Sequence, residues 1–126
     1  MEKIRYEARR AFGSGLQATA FEIGAQWMQT QLPSINDLAR QSYNTAFLRG
    51  KTGKKPNHMA TFYSILDELK EFRNAGTIKS EHIPEYSEQA EELTDILICC
   101  LTELHSLGVN VEEILKAKIE FNKTRV

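Results

Sequence analysis

Apolar residues recur every three or four positions along most of the chain, which is the spacing of side chains on one face of an α-helix. No stretch shows a convincing strand alternation. The pattern predicts one helix within an N-terminal extension, residues 1–33, and four core helices within a domain formed by residues 34–126. We therefore predict an all-α bundle with short loops. The helical pattern is interrupted at Pro33, Gly50, Pro56, Gly76, Pro84 and Gly108.

The third core helix carries the strongest apolar pattern. We expect Pro84 in its first turn, where a missing N–H costs nothing, and Gly108 as a left-handed cap after its last turn. Asn110 and Glu113 form a variant of the capping box, so they predict the start of the last helix.

The composition is that of an ordinary soluble domain. Of 126 residues, 41% are hydrophobic and 26% charged, and 16 basic residues against 17 acidic ones leave a net charge of -1. Stable nucleic-acid binding is disfavoured because the chain has no basic excess. No apolar run is long enough for a membrane span, and residues 1–10 lack the apolar core of a signal peptide. With Cys99 and Cys100 expected as free thiols, we predict a cytoplasmic protein.

Two acidic pairs stand three residues apart within the helical pattern. Glu68 and Glu71 share a face of the second core helix, and Glu92 and Asp95 share a face of the third. Antiparallel packing of these helices would bring four carboxylates together, where they would repel and raise one another's pKa. A hard divalent cation relieves that repulsion, so the pairs predict a Mg²⁺ site that Mn²⁺ can also occupy.

The last helix adds three polar residues at positions i, i+4 and i+7. Lys118, Asn122 and Arg125 therefore share one face, and this face continues the apolar stripe of the same helix. An ammonium, an amide and a guanidinium on an inward face favour phosphate binding beside a metal. The alternative is a solvated basic C-terminal turn that interacts with the helix dipole.

These motifs together resemble one enzyme family. Glu68-Leu-Lys-Glu71, followed after twenty residues by Glu92-Leu-Thr-Asp95, is similar to the ExxE…ExxD signature of the MazG-like all-α nucleoside triphosphate pyrophosphohydrolases. Ile96–Leu101, the turn Leu107–Val111 and Lys118–Arg125 with its KxxxNxxR spacing follow in the family's order. The resemblance covers the chain from about residue 35 to its end.

The resemblance implies a fold, a reaction and roles for the site residues. It implies four core helices completed by oligomerisation, and Mg²⁺-dependent hydrolysis of a nucleoside triphosphate to the monophosphate and pyrophosphate. Glu71 is our candidate for the general base. Where many relatives have a Gly-Phe-Trp-like segment, this chain has Gly50 and then Lys51-Thr52-Gly53, so no nucleobase preference is implied. The implied metal ligands are Glu68, Glu71, Glu92 and Asp95, and the implied phosphate-binding residues are Lys118, Asn122 and Arg125.

The apolar stripes exceed what one small bundle readily conceals. We expect a homodimer or homotetramer whose interface includes some of Trp27, Met28, Phe47 and Phe62. Two other functions remain open. One is a non-catalytic helical interaction or regulatory module on the same scaffold, which the complete acidic tetrad disfavours. The other is a phosphohydrolase acting on a phosphoribosyl or non-canonical nucleotide.

Overall fold

Four α-helices and their connections make up the part of the chain described by the computed structural model, residue 23 and residues 32–125. No strand occurs in this part; Lys79 and Ser87 form an isolated β-bridge. The prediction of an all-α fold is therefore confirmed for the described residues. The helices are α1 (Ile35–Leu48), α2 (His58–Asn74), α3 (Glu88–Ser106) and α4 (Val111–Lys123).

Side-chain caps fix where three of the helices begin. Asn57 accepts from the N–H of Ala60 at 3.0 Å at the start of α2, and Ser87 accepts from Ala90 at 3.2 Å at the start of α3. These bonds satisfy backbone donors that have no partner within the helix. The predicted cap of the last helix is also present, because Asn110 accepts from the N–H of Glu113 at 3.1 Å.

Two glycines end helices in the left-handed conformation. Gly50 has a φ of 70° and Gly108 a φ of 74°. After Gly50 the N–H of Lys51 donates to the carbonyl of Ala46 at 2.8 Å, and Gly50 itself donates to Phe47 at 3.0 Å. This is the Schellman arrangement, which favours glycine because a Cβ is strained at positive φ. The C-cap predicted at Gly108 is thus confirmed.

The prediction that Pro84 lies in the first turn of the third helix is wrong. The helix begins at Glu88, and Pro84 lies in a turn closed by a 3.0 Å bond from the N–H of Tyr86 to the carbonyl of Ile83. Ser87 has extended backbone and supplies the cap, so the helix starts after it. A proline suits a turn as well as a first helical position, and the Ser87 hydroxyl decides between the two.

The third helix lies at the centre of the packing. α3 contacts both α1 and α2, whereas the structure shows no packing between α1 and α2. Ala39 of α1, Leu101 of α3 and Val111 of α4 are the buried apolar residues of the described part, and Ile35 and Leu104 pack against them. A small residue such as Ala39 lets α1 approach α3 closely.

The last helix joins this core by its first turn. Val111 is buried, but Ile114 and Leu115 are 44% and 46% exposed. The prediction that the stripe of α4 faces inward is therefore wrong within one chain beyond Val111. Equal spacing places residues on a common face, but burial of that face depends on which residues of other helices reach it.

Some predictions lie outside the described residues. The N-terminal helix expected within residues 1–33 belongs to this group, as do Trp27 and Met28. Cys99 and Cys100 are free thiols and half-buried. Among the described helices, none has both the length and the apolarity that a membrane crossing requires.

Candidate metal centre

Three carboxylates from two helices converge at the α2–α3 interface. Glu68 of α2 and Glu92 and Asp95 of α3 each offer an oxygen, and these oxygens lie within 4.8 Å of one another. All three residues are half-buried. The helical spacing of three residues puts Glu92 and Asp95 on one face of α3, and packing against α2 adds Glu68.

Antiparallel packing of α2 and α3 produces this convergence. Near the start of α2 the hydroxyl of Thr61 donates to the carboxylate of Glu103, near the end of α3. Further along α2, Glu68 meets Asp95, which comes earlier on α3. The two helices therefore run in opposite directions, and their acidic pairs meet midway along the interface.

Burial and mutual repulsion disfavour the charged form of these groups. The pKa of Glu68 is raised by burial first and then by the charges of Asp95 and Glu71. The pKa of Glu92 is raised by burial and by Asp95. Burial likewise raises the pKa of Asp95, with a contribution from the charge of Glu91. Without a counter-charge the site is electrostatically strained, as close carboxylates are.

Two basic side chains lie close enough to offset part of this repulsion. The charge of Lys51 lowers the pKa of Glu68 and of Asp95 against the larger opposing effects. His82 acts on Asp95 in the same direction. Because the pKa values remain raised, these neighbours do not neutralise the cluster.

Glu71 lies beside the cluster and outside the group of three converging oxygens. Its side chain is exposed, and its charge raises the pKa of Glu68 and Glu92. Glu71 and Glu92 both line an adjoining cavity of about 210 Å³. The structure thus brings three of the four predicted metal ligands together and places the fourth at the wall of the cavity next to them.

A fixed carboxylate lies next to the ligand group on α3. Glu91 accepts from the hydroxyl of Ser80 through Oε2, and from Nδ1 of His82 at 2.7 Å through Oε1. These hydrogen bonds lower the pKa of Glu91, Ser80 contributing most. Both oxygens of Glu91 are therefore engaged by the loop that precedes α3.

The predicted phosphate-binding residues are not brought to the carboxylates within one chain. Lys118, Asn122 and Arg125 are exposed. Their helix packs on α1 and α3, and no contact joins it to α2 among the described helices. The ammonium of Lys118 lies 4.7 Å from the ring centroid of Phe121, a cation–π contact on the surface of α4.

The donor set suits a hard divalent cation. Carboxylate oxygens are the ligands that Mg²⁺ and Mn²⁺ prefer, and no sulfur or imidazole lies within the group. Ligands at about 2.1 Å place opposite oxygens of an octahedron about 4.2 Å apart. Small side-chain rotations therefore bring oxygens separated by up to 4.8 Å onto one ion. Three protein ligands leave further positions for water or phosphate oxygens.

Sequence reasoning missed three groups near this centre. Lys51 belongs to the Lys51–Pro56 connection, which its composition marks as basic without showing what it approaches. Ser80 and His82 belong to a loop, where helical periodicity gives no information. Three glutamates, Glu81, Glu85 and Glu88, lie closer to His82 in sequence than Glu91, but Glu91 is its hydrogen-bond partner.

Comparisons of the chain with protein-family models, with curated proteins and with solved structures give no match. A function for this chain therefore depends on the chemistry of the residues at the α2–α3 interface.

Proposed function

We propose that this protein is a MazG-like pyrophosphohydrolase that converts a nucleoside triphosphate and water into the monophosphate and pyrophosphate with Mg²⁺. The observation that carries the proposal is the convergence of Glu68, Glu92 and Asp95 from two antiparallel helices. These residues belong to the two acidic motifs whose spacing resembles that family. Their pKa values, raised by burial and by neighbouring carboxylates, add an electrostatic reason for a cation at this place.

The carboxylates at the interface hold the cation and thereby fix where a triphosphate binds. When bound, Mg²⁺ neutralises phosphate charge and lowers the pKa of a coordinated water. Glu71 is the candidate base, because it is exposed at the wall of the cavity that Glu92 shares. A carboxylate there can accept the proton of the attacking water while Glu68, Glu92 and Asp95 stay engaged.

The phosphate-binding face of α4 is best explained by assembly. Lys118, Asn122 and Arg125 lie on a helix that does not contact α2 in its own chain. In a homodimer or homotetramer this helix can approach the acidic cluster of a neighbouring copy. Its cationic groups would then contact phosphate oxygens and stabilise charge on the leaving pyrophosphate.

Exposed apolar side chains support the assembly. On α2, Met59, Phe62 and Tyr63 share one face, and each is more than half exposed. The opposite face of α2 packs on α3, so this apolar face has no partner within the described residues. We propose that a second copy of the chain covers it.

Pyrophosphate release from a panel of ribo- and deoxynucleoside triphosphates, measured with Mg²⁺ and with EDTA, tests the proposal. We expect Mg²⁺-dependent release by the wild type and none by Glu92→Gln. Asp67→Asn is the matched control, since Asp67 is an exposed acidic residue of α2 outside the ligand group. Absence of turnover on every triphosphate, in a protein that binds Mg²⁺, would contradict the proposal. Turnover of a phosphoribosyl substrate alone would replace it with the related phosphohydrolase activity.

A further inference from the structure

The loop between α2 and α3 is hydrogen-bonded to the start of α3. The N–H of Gly76 donates to the Glu88 carboxylate at 3.0 Å, and the N–H of Glu88 donates back to the carbonyl of Ile78 at 2.9 Å. The N–H of Gln89 donates to the carbonyl of Gly76 at 3.2 Å. Residues 76–78 therefore lie against the first turn of α3, and hydrogen bonds to that turn fix the start of the loop.

Ser80 fixes the middle of this loop. Its side chain is 2% exposed, and its hydroxyl donates to Glu91 while accepting from the N–H groups of His82 and Ile83, both at 3.1 Å. Its own N–H donates to the carbonyl of Tyr86 at 2.9 Å. A buried hydroxyl with three side-chain hydrogen bonds specifies one loop conformation, because any other would leave buried polar groups unpaired.

This conformation places His82 at the cavity beside the carboxylate cluster. Its Nδ1 lies 2.7 Å from Oε1 of Glu91. The cavity is lined by eight residues, of which His82 is the one that can carry positive charge and five are glutamates. Since a carboxylate can only accept, Nδ1 carries the proton of this bond, and Nε2 has no hydrogen-bond partner among the described residues. The His82 side chain is 82% exposed.

The electrostatics of the loop favour the charged form of this ring. The pKa of His82 is raised, first by its hydrogen bond to Glu91 and then by the charge of that carboxylate. Glu81 and Asp95 act in the same direction. When the ring is charged, both nitrogens donate, so Nε2 offers an N–H to solvent or to a ligand.

We propose that His82 contacts the ligand in this cavity: Glu91 anchors Nδ1, and Nε2 donates a hydrogen bond to a phosphate oxygen of a metal-bound di- or triphosphate. The inference rests on the proposed function, because five glutamates repel a free anion and a divalent cation must accompany the phosphates. Glu92 belongs both to the carboxylate cluster and to the cavity wall, so phosphates on a cation held by the cluster would border the cavity that His82 lines. Ser80 is the positioning residue, since its hydroxyl holds both the loop and Glu91.

Calorimetric titration of the full chain with inorganic tripolyphosphate in saturating Mg²⁺ tests this inference without requiring turnover. We expect His82→Ala to weaken tripolyphosphate binding about tenfold or more, as loss of a charge-assisted hydrogen bond does. Its thermal melting should change little, because the ring is exposed and an exposed ion pair contributes little to stability. Its affinity for Mg²⁺ alone should not fall, because His82 is a cationic side chain outside the ligand group. His58→Ala is the matched control, since His58 is exposed at the opposite end of α2 from Asn74, a residue of the cavity wall. In the wild type, tripolyphosphate should also shift the Nε2 resonance of His82.

The outcomes separate this inference from the proposed function. Equal tripolyphosphate affinity of His82→Ala and the wild type would overturn the inference, and Mg²⁺-dependent turnover lost in Glu92→Gln would leave the proposed function intact. Weakened binding in His82→Ala, in a protein without turnover on any triphosphate, would support the inference and contradict the hydrolase. A wild type that does not bind tripolyphosphate would overturn the inference. Ser80→Ala should lose part of the affinity and part of the Nε2 shift; a full shift would remove the positioning role of Ser80.

Discussion

Asn36 and Asn110 are bonded side chain to side chain, although 74 residues separate them: Nδ2 of Asn36 donates to Oδ1 of Asn110 at 3.0 Å. Oδ1 of Asn36 accepts from the backbone N–H groups of Val111 at 2.8 Å and Glu112 at 3.2 Å. Asn110 in turn accepts from Glu113 at 3.1 Å. Three N–H groups at the start of α4 are thus satisfied by two side chains, one of which belongs to α1.

Replacing Asn36 by alanine should destabilise the fold. Asn36→Ala leaves the N–H groups of Val111 and Glu112 without their acceptor, and loss of such a cap costs about 1–2 kcal/mol in free energy of unfolding. Urea denaturation followed by circular dichroism measures the change. Arg40→Ala on the same helix removes only an exposed ion pair with Asp37 and should cost less than about 0.5 kcal/mol. Equal midpoints for the two variants would argue against a capping role.

Removing one negative charge from the carboxylate cluster should stabilise the metal-free protein. In the wild type the pKa of Glu92 is raised by burial first and then by the charges of Asp95, Glu91 and Glu68, and Glu92→Gln removes this unfavourable charge. We expect its melting temperature without metal to equal or slightly exceed that of the wild type, and its stabilisation by Mg²⁺ to be lost. Thermal melts without metal and with excess Mg²⁺ measure both effects. A full Mg²⁺ response in the variant would exclude Glu92 as a ligand.

The stability gained by neutralising Asp95 should depend on pH. Because the pKa of Asp95 is raised, mainly by burial, the folded state binds its proton more tightly than the unfolded chain does. The cost of ionising it is absent below the ordinary pKa of about 3.9 and grows as pH rises through the raised pKa. The advantage of Asp95→Asn over the wild type should therefore increase from about pH 4 to pH 7 without metal. Chemical denaturation across this range measures it.

With Mg²⁺ present, the advantage of Asp95→Asn over the wild type should instead decrease as pH rises, since Mg²⁺ binds the ionised carboxylates and stabilises the wild type. Without metal, an Asp95→Asn advantage that shrinks towards neutral pH would contradict the sign of the argument.

Lys118 should contribute to phosphate binding and little to stability. If its ammonium contacts the triphosphate, Lys118→Ala lowers kcat/KM by about 10- to 150-fold, the range for a lost hydrogen bond to a charged group. Steady-state kinetics at saturating Mg²⁺ gives the ratio. Lys116→Ala is the control, because Lys116 lies about 160° around the helix and makes an exposed ion pair with Glu112 at 3.1 Å. Similar kinetics for both variants would favour a solvated basic C-terminal turn.

The exposed apolar face of α2 should mediate self-association. Phe62 is 52% exposed and packs edge-on against Tyr63, with ring centroids 5.4 Å apart. We expect multi-angle light scattering to give a dimer or tetramer at micromolar concentration, and Phe62→Ser to shift it towards monomer with unchanged helical content. Phe47, which we also expect at the interface, is 39% exposed. A wild type that stays monomeric would contradict this prediction.

The sequence predicted the parts of the molecule that depend on local interactions. Helical spacing identified four helices, and the caps at Asn110 and Gly108 followed from side-chain chemistry and backbone freedom. The pairing of Glu92 with Asp95 also follows from local spacing. Glu68 could be added because antiparallel packing of the two helices brings the pairs together.

The remaining features depend on contacts between distant residues. No periodicity predicts that Ser80 is buried and holds Glu91, because a loop takes its path from the helices it joins. Likewise, the common face of Lys118, Asn122 and Arg125 is a local property, whereas what that face contacts depends on where α4 leaves the bundle. The Pro84 prediction failed for a related reason, since the hydroxyl of Ser87 caps the helix three residues later.

Because α4 is fixed at its first turn, a small rotation there displaces its C-terminal end by a larger distance. Its 13 residues span about 20 Å, so a rotation of about 10° at the first turn moves the far end by about 3 Å. That distance exceeds the tolerance of a hydrogen bond. The position of Arg125 thus depends in part on the Asn36–Asn110 pair at the opposite end of the helix. A change at Asn36 would alter how the distal residues meet a ligand without touching any of them.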